Sequence, residues 1–347
     1  MIYFVFIILA VLFYLCGGKQ GKKGLAYIIM MGLCLFLIFS LRSTSVGYDS
    51  GTYARLFYNS SFLSMKEIIN SYTEPGYYIL VKTVSFLSDN HQLLFVLQGL
   101  IVSVLISRFI YKYSSNYMLS FIMLIPMQYL GFFISAQRQA IAVCILLSGF
   151  DFVIKRKYIL WFGCVIIACL FHNSAILGAP LILLVSKNNI TNTERFLFLM
   201  LIPCVFATKK IILTLGLSWF YSEYTLYESE AGTLATMIMY LLIWIAFVLF
   251  RNHKNSALEN FLERTLYVGV LLQIFVFLEP NIYRFAFYYQ IFTILIIPLI
   301  VSGIKNYSIR VLAQCAILMI MLFLYFNFTY YSSGINPYTF FWEQNYN

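Results

Sequence analysis

Gln92-Leu-Leu-Phe-Val-Leu-Gln-Gly-Leu-Ile-Val-Ser-Val-Leu-Ile-Ser-Arg-Phe-Ile-Tyr111 runs for 20 residues with one charge, Arg108. At 1.5 Å of rise per residue a helix of this length spans about 30 Å, the thickness of a bilayer's hydrocarbon core. Similar apolar runs lie near 2–16, 24–41, 117–135, 138–154, 158–171, 174–186, 195–215, 233–250, 262–279, 283–301 and 309–328. They are longer than the roughly 10-residue alternating segments of an outer-membrane barrel. Of the 347 residues 62% are hydrophobic and 10% charged. A mean hydropathy of +0.84 excludes a water-soluble globule. The expected fold is all-α: one polytopic transmembrane domain over 1–347 with about 12 membrane helices.

The seven cysteines, Cys16, Cys34, Cys144, Cys164, Cys169, Cys204 and Cys315, all sit inside apolar runs without a CxxC pair. Neither a disulfide framework nor a zinc site is expected from them, and no metal or cofactor is implied. Leu15-Cys16 is a weak lipoprotein-like signal, because Leu15 is too large for the cleavage position and no basic stretch precedes the run.

A net charge of +10 invites a nucleic-acid partner, but the basic residues are dispersed between the apolar runs and form no stripe. No nucleic acid is therefore expected. Their placement sets topology instead. With Lys19, Lys22 and Lys23 facing the cytoplasm, alternation puts 15 basic and 4 acidic residues inside, against 8 and 9 outside. That asymmetry obeys the positive-inside rule and places both termini outside. It requires that Gly76–Ser88, 13 residues, does not cross, and about 17 is the usual minimum for a span. The segment 48–90 is accordingly expected to be external and built of short interfacial helices. Lys209 and Lys210 do not fit this scheme. The 28 Tyr and 34 Phe are explained chiefly by interfacial belts, with sugar stacking as a use for a few.

Topology leaves a short external set unexplained: Arg42, Asp49, Arg55, Glu74, Arg138, His172, Glu279 and Arg284. Ionisable groups at a membrane face are functional candidates by default. Arg138 and Arg284 each begin a span running outside to inside, so guanidinium and positive helix end point the same way. Guanidinium makes two parallel bonds to phosphate and stays charged, so these two with Arg42 suit a diphosphate. Snorkelling to lipid head groups is the alternative. His172, in Phe171-His172-Asn173-Ser174, can act as a general base or a diphosphate donor; otherwise it is a hydrogen-bonded helix-end histidine, with Asn173 capping the next helix. Asp49 and Glu74 read locally as N-caps, Glu74 being followed by a proline at the first helical position. Either carboxylate can also serve as base, because partial burial raises a carboxyl pKa.

The stretch Arg42-Ser-Thr-Ser-Val-Gly47-Tyr-Asp49-Ser-Gly-Thr-Tyr53-Ala-Arg-Leu-Phe57 resembles the R-x4-G-x-D-x3-Y-x3-F signature of the EpsG family of Wzy-like exopolysaccharide polymerases. Glu74-Pro-Gly76-Tyr77, Arg138-Gln139-Ala140-Ile141-Ala142, Phe171-His172-Asn173-Ser174-Ala175 and Tyr283-Arg284-Phe285 agree in the same order. The resemblance implies a bacterial cytoplasmic-membrane glycosyltransferase, GT-C-like in class. Such an enzyme makes exopolysaccharide, capsule or O-antigen by joining oligosaccharide repeat units carried on undecaprenyl diphosphate, at the outer face.

Motif arginines then fall on Arg42, Arg138 and Arg284, as diphosphate ligands, and candidate bases on His172, Asp49 and Glu74, in that order. Tyr53, Gln139 and Tyr283 lie within the matching motifs as sugar-contacting or supporting residues. The implied substrate partners are the lipid-linked oligosaccharide and membrane lipid, with a flippase and a chain-length regulator as companion proteins to consider. Arginines can neutralise a departing diphosphate without a metal, and no Asp-rich cluster for magnesium is visible. A flippase of lipid-linked sugar or a glycan ligase would need the same clamp. A transporter, however, should show paired repeats and charges near the midplane.

Overall fold

A backbone removed from water must satisfy its N–H and C=O groups within itself, and apolar runs therefore become helices. The computed structural model describes residues 2–16, 22–64, 66–67, 74–186, 188–216, 230–251, 256–277, 282–329 and 334–343. Lys19 and Glu279 lie outside the described residues. Among the described residues there is no strand, only an isolated antiparallel bridge between Arg42 and Phe340. Helices Ile2–Leu15, Lys22–Ser40, Gln92–Tyr113, Tyr158–Phe171, Asn192–Gly216, Glu230–Phe250, Ala257–Val276 and Tyr307–Leu324 fall on the apolar runs. Over Gln92–Tyr113, Thr233–Phe250 and Tyr307–Asn327 the helix is long and apolar enough to cross a bilayer, as a multi-pass membrane protein requires.

Several runs that read as single spans are broken, each at an identifiable residue. The run 117–135 splits into Tyr117–Met123 and Tyr129–Ser135. Pro126 between them has no N–H to continue the ladder, and Gln128 turns the chain with φ 62°. The run 138–154 becomes Gln137–Ser148 and Phe150–Ile154, interrupted at Gly149. A 3₁₀ run, Asn173–Leu184, with Pro180 inside, replaces the span read at 174–186. Tyr283–Gln290 and Thr293–Gly303 meet at a 42° bend. Within 48–90 the short helices Ser50–Ser61 and Pro75–Leu87 pack on one another.

The helices group into two compact units, Met1–Ala179 with Lys305–Asn347, and Pro180–Ile304. In the first, Gln92–Tyr113 is the central helix, with Lys22–Ser40 along one side and Gln137–Ser148 along another. Small residues set that approach. A Cβ on Gly99 would stand 2.8 Å from Phe39 Cβ and Ser40 Oγ, and one on Gly32 would stand 3.0 Å from Ser107 Oγ. Without a hydrophobic drive between helices in lipid, such close backbone contact supplies the dispersion that holds them.

In the second unit Ala257–Val276 packs with Asn192–Gly216, Glu230–Phe250 and Tyr283–Gln290. Glu263, 1% exposed, accepts from Arg195 Nε at 2.6 Å and Nη2 at 3.1 Å, and from Arg251 Nη1 at 2.6 Å. Two guanidiniums on one buried carboxylate keep it satisfied.

The tight crossing yields a test. Gly99→Ala is expected to destabilise the protein by ~1–3 kcal/mol, because Phe39 or the backbone must shift. Gly163→Ala, whose Cβ meets nothing within 4 Å, is expected to leave the melting temperature in detergent unchanged or raised. Equal melting of both variants would show that the close contact at Gly99 does not hold the pair.

Candidate active site

Glu74-Pro75-Gly76 builds the site from three different properties. Proline begins the helix Pro75–Leu87 at its first position, where the missing N–H is not needed. Glycine lets that helix start against the end of Tyr158–Phe171: a Cβ on Gly76 would lie 2.9 Å from Leu170 Cβ and from its carbonyl oxygen. Glu74 is thereby delivered to His172, the residue that closes the same helix in extended conformation. The expectation that Glu74 and Asp49 act as N-caps is corrected, since both occupy that position and neither side chain bonds its own helix.

Glu74 is 6% exposed, and three partners hold its carboxylate. Oε2 accepts from Arg138 Nη1. Oε1 accepts from the Asn173 backbone N–H at 3.0 Å and lies 2.7 Å from His172 Nδ1. The imidazole contact is close, but Nδ1 makes no aligned hydrogen bond there. Glu74, not Asn173, thus takes up the orphan N–H at the start of the 3₁₀ run Asn173–Leu184. Burial pushes the Glu74 carboxyl up, but His172, the Asn173 N–H and Arg138 together outweigh it and hold the group below the ordinary value of 4.5.

Arg138 is the second residue of the helix Gln137–Ser148, at its positive end, with its side chain 34% exposed beside the 7% of Glu74. Around it stand phenols. Tyr53 Oη lies 3.5 Å from the Arg138 backbone N–H, and the Tyr53 and Tyr77 rings meet edge-on with centroids 5.5 Å apart. Tyr77 donates to Gln137 Oε1 at 3.1 Å. Burial pushes both phenols up, so they stay protonated donors. Beneath is an apolar floor that includes Phe57, Val81, Leu94, Phe95 and Ile141. Gln139 is buried as well. Tyr77 and Gln137 were missed as site residues; the buried positions Tyr77, Val81 and Val84, at helical spacing, are the signal that could have found the tyrosine.

The other candidates are placed differently. Arg42, expected as a diphosphate ligand, is fully buried, donates to the Phe39 carbonyl and to Gln98 Oε1 at 2.8 Å, and lies 4.3 Å over the Phe95 ring. Gln98 passes the link on to the Phe133 carbonyl at 2.9 Å, so Arg42 ties helices together from inside. Asp49 is half-buried, ahead of the helix carrying Tyr53. Arg284, half-buried, and Tyr283, exposed, begin a helix of the second unit, with the guanidinium carbon 6.0 Å from the Tyr283 ring centre. Among the described residues no three His, Cys, Asp or Glu side chains gather as a metal site.

Comparison with known proteins places these residues in a family. The chain matches the EpsG family over residues 25–340 and belongs to it. No curated protein and no solved structure matches.

A carboxyl whose folded pKa is depressed stabilises fully above its unfolded value and loses that contribution as pH falls through the folded one. The margin by which the melting temperature of wild type exceeds that of Glu74→Gln is therefore expected to shrink as pH falls below about 4.5. Scanning melts in detergent from about pH 4.5 downward measures this, and a margin that grows over that range would refute the assigned direction.

Proposed function

We propose, from membership of the EpsG family and from the Glu74 cluster, that this chain is a polysaccharide repeat-unit polymerase. In this reading it is a GT-C-like protein with about twelve crossings, and its substrates are oligosaccharides on undecaprenyl diphosphate. The reaction is placed at the outer face of a bacterial cytoplasmic membrane. The observation that carries the reading is one buried carboxylate shared by a half-exposed arginine and a histidine.

The chemistry requires three things: a base for an acceptor hydroxyl, a cation for the departing diphosphate, and restraint of both. His172 is the base. Glu74, at Nδ1, orients the ring so that Nε2 faces the acceptor and steadies the imidazolium that forms. The acceptor oxygen bonds to the anomeric carbon while its proton passes to Nε2. The anomeric carbon–oxygen bond breaks, and undecaprenyl diphosphate departs with the electron pair. Direct in-line attack inverts the anomeric centre.

Arg138 meets the charge that grows on the leaving group, reinforced by the helix start on which it stands. In the resting site Glu74 balances that guanidinium and keeps it in position. Tyr53, whose Oη accepts from the Arg138 backbone N–H, keeps its own O–H as a neutral donor beside it, while the Tyr77 O–H is spent on Gln137. For Asp49 the reading keeps a supporting role near Tyr53, and the assignment of Arg284 to the diphosphate rests on the family motif alone.

Purified protein in detergent, given a synthetic lipid-linked repeat unit, is expected to produce a ladder of oligomers. Arg138→Ala is expected to slow it ~10²–10³-fold, with Arg138→Lys restoring part of the rate. His172→Ala is expected to slow it ~10²–10⁴-fold. Ladders of wild-type intensity from both alanine variants, at equal protein, would overturn the assignment.

A further inference from the structure

The segment Gly334–Glu343, from the far end of the chain, is built into the first unit beside the motif loop 42–49. The Ser43 N–H donates to the Thr339 carbonyl at 2.9 Å, Phe341 N–H to the Leu41 carbonyl at 3.0 Å, and Gly47 N–H to the Gly334 carbonyl at 2.8 Å. Tyr338 Oη donates to the Ile38 carbonyl, and Tyr3 Oη to that of Ile335, both at 3.0 Å. Gly334, at φ 65°, packs on the Tyr48 ring, where a Cβ would stand 2.7 Å from the ring carbons. Tyr48 in turn donates its backbone N–H to Ser135 Oγ at 3.2 Å, three residues before Arg138.

This anchored segment presents an aromatic surface. Phe340 and Trp342 are stacked, centroids 4.5 Å apart and planes within 8°, and Trp342 remains 58% exposed. One face of the indole is backed by the Phe340 ring, the Phe341 ring meets it edge-on with centroids 4.9 Å apart, and more than half of the residue stays exposed. Its orientation is fixed in advance, so a ligand stacking there immobilises little more. The hydroxyls of Ser43, Ser45 and Thr339 lie within 2.6–2.8 Å of one another and tie the segment to the motif loop.

We propose that Trp342, backed by Phe340, is a stacking platform for the polysaccharide chain, holding sugars away from the bond being made. A ring sugar turns a face of slightly positive C–H bonds toward the negative face of an indole and its hydroxyls toward neighbouring oxygens. Charge favours this over a lipid head-group anchor. Residues 334–343 contain no Lys or Arg, and Glu343, exposed beside Trp342, repels anionic lipid. The inference rests on the polymerase reading, which supplies the chain to be held.

Detergent-purified protein would be given lipid-linked repeat units extracted from the cells that express it, and both first coupling and product length measured. Trp342→Ala is expected to couple the first two units within about twofold of wild type while mean product length falls about threefold; Trp342→Phe is expected to keep most of the length. Phe323→Ala, an exposed aromatic on the apolar helix Tyr307–Leu324, serves as a membrane-contact control and is expected to change neither. An unchanged length distribution in Trp342→Ala overturns the platform, as does equal shortening by Phe323→Ala or loss of first coupling with a lowered melting temperature. Absence of any product from wild type instead overturns the polymerase reading itself.

Discussion

An ionised carboxylate that is 94% out of contact with solvent persists only if cations and N–H groups replace its water, and Glu74 collects all of its replacements from distant parts of the chain. Arg138 comes from the start of one helix, His172 from the end of another, and the Asn173 N–H from a 3₁₀ run. Satisfying this one group therefore fixes the mutual position of three elements. Arg138 and His172 separately would be an interfacial cation and a helix-end histidine. Joined through Glu74 they become a cation and an imidazole at a set separation, the arrangement on which the proposed displacement of a diphosphate draws.

The surroundings divide the labour between charge and packing. Arg42 is the most instructive case, because its guanidinium works inward, on the Phe39 carbonyl, Gln98 and the Phe95 ring, within reach of the same apolar floor that underlies Tyr53 and Tyr77. Gly47 follows it at φ 96°, where a Cβ would come within 2.7 Å of Ile134 Cγ2, so the motif's glycine is demanded by both backbone and space. The motif Arg42–Phe57 is thus partly a scaffold: arginine and glycine shape the loop, Tyr53 reaches the site, and Phe57 joins the floor.

Much of this was legible in the sequence, for physical reasons. Helices follow apolar runs because lipid leaves the backbone no other partner, and Glu74, Arg138 and His172 are each singled out as ionisable groups standing where burial is costly, though not as a set. What misled was local reading of non-local facts. Pro126 and Gly149 break runs that hydropathy alone renders continuous, and Pro180 lies inside a 3₁₀ run where a span was read. Asp49 and Glu74 look like caps by spacing, yet Glu74 is claimed by residues 64 and 98 positions away. Arg42 has the charge of a phosphate ligand, but only the fold reveals that Gln98 and Phe95 enclose it. Arg195, Arg251 and Glu263, legible in sequence as topology charges alone, turn out to be one buried cluster.

The coupling of Glu74 to His172 is the point at which structure and chemistry meet, and a double-mutant cycle on turnover measures it directly. Glu74→Gln, His172→Ala and the double variant would be compared with wild type in polymerisation of a lipid-linked repeat unit, at equal folded protein. If the carboxylate acts by orienting the imidazole, the double variant is expected to fall below His172→Ala by clearly less than the full Glu74→Gln effect, the residue of that effect being the lost restraint on Arg138. Losses that multiply, so that the double variant is slower by the product of the two single effects, would contradict a shared role.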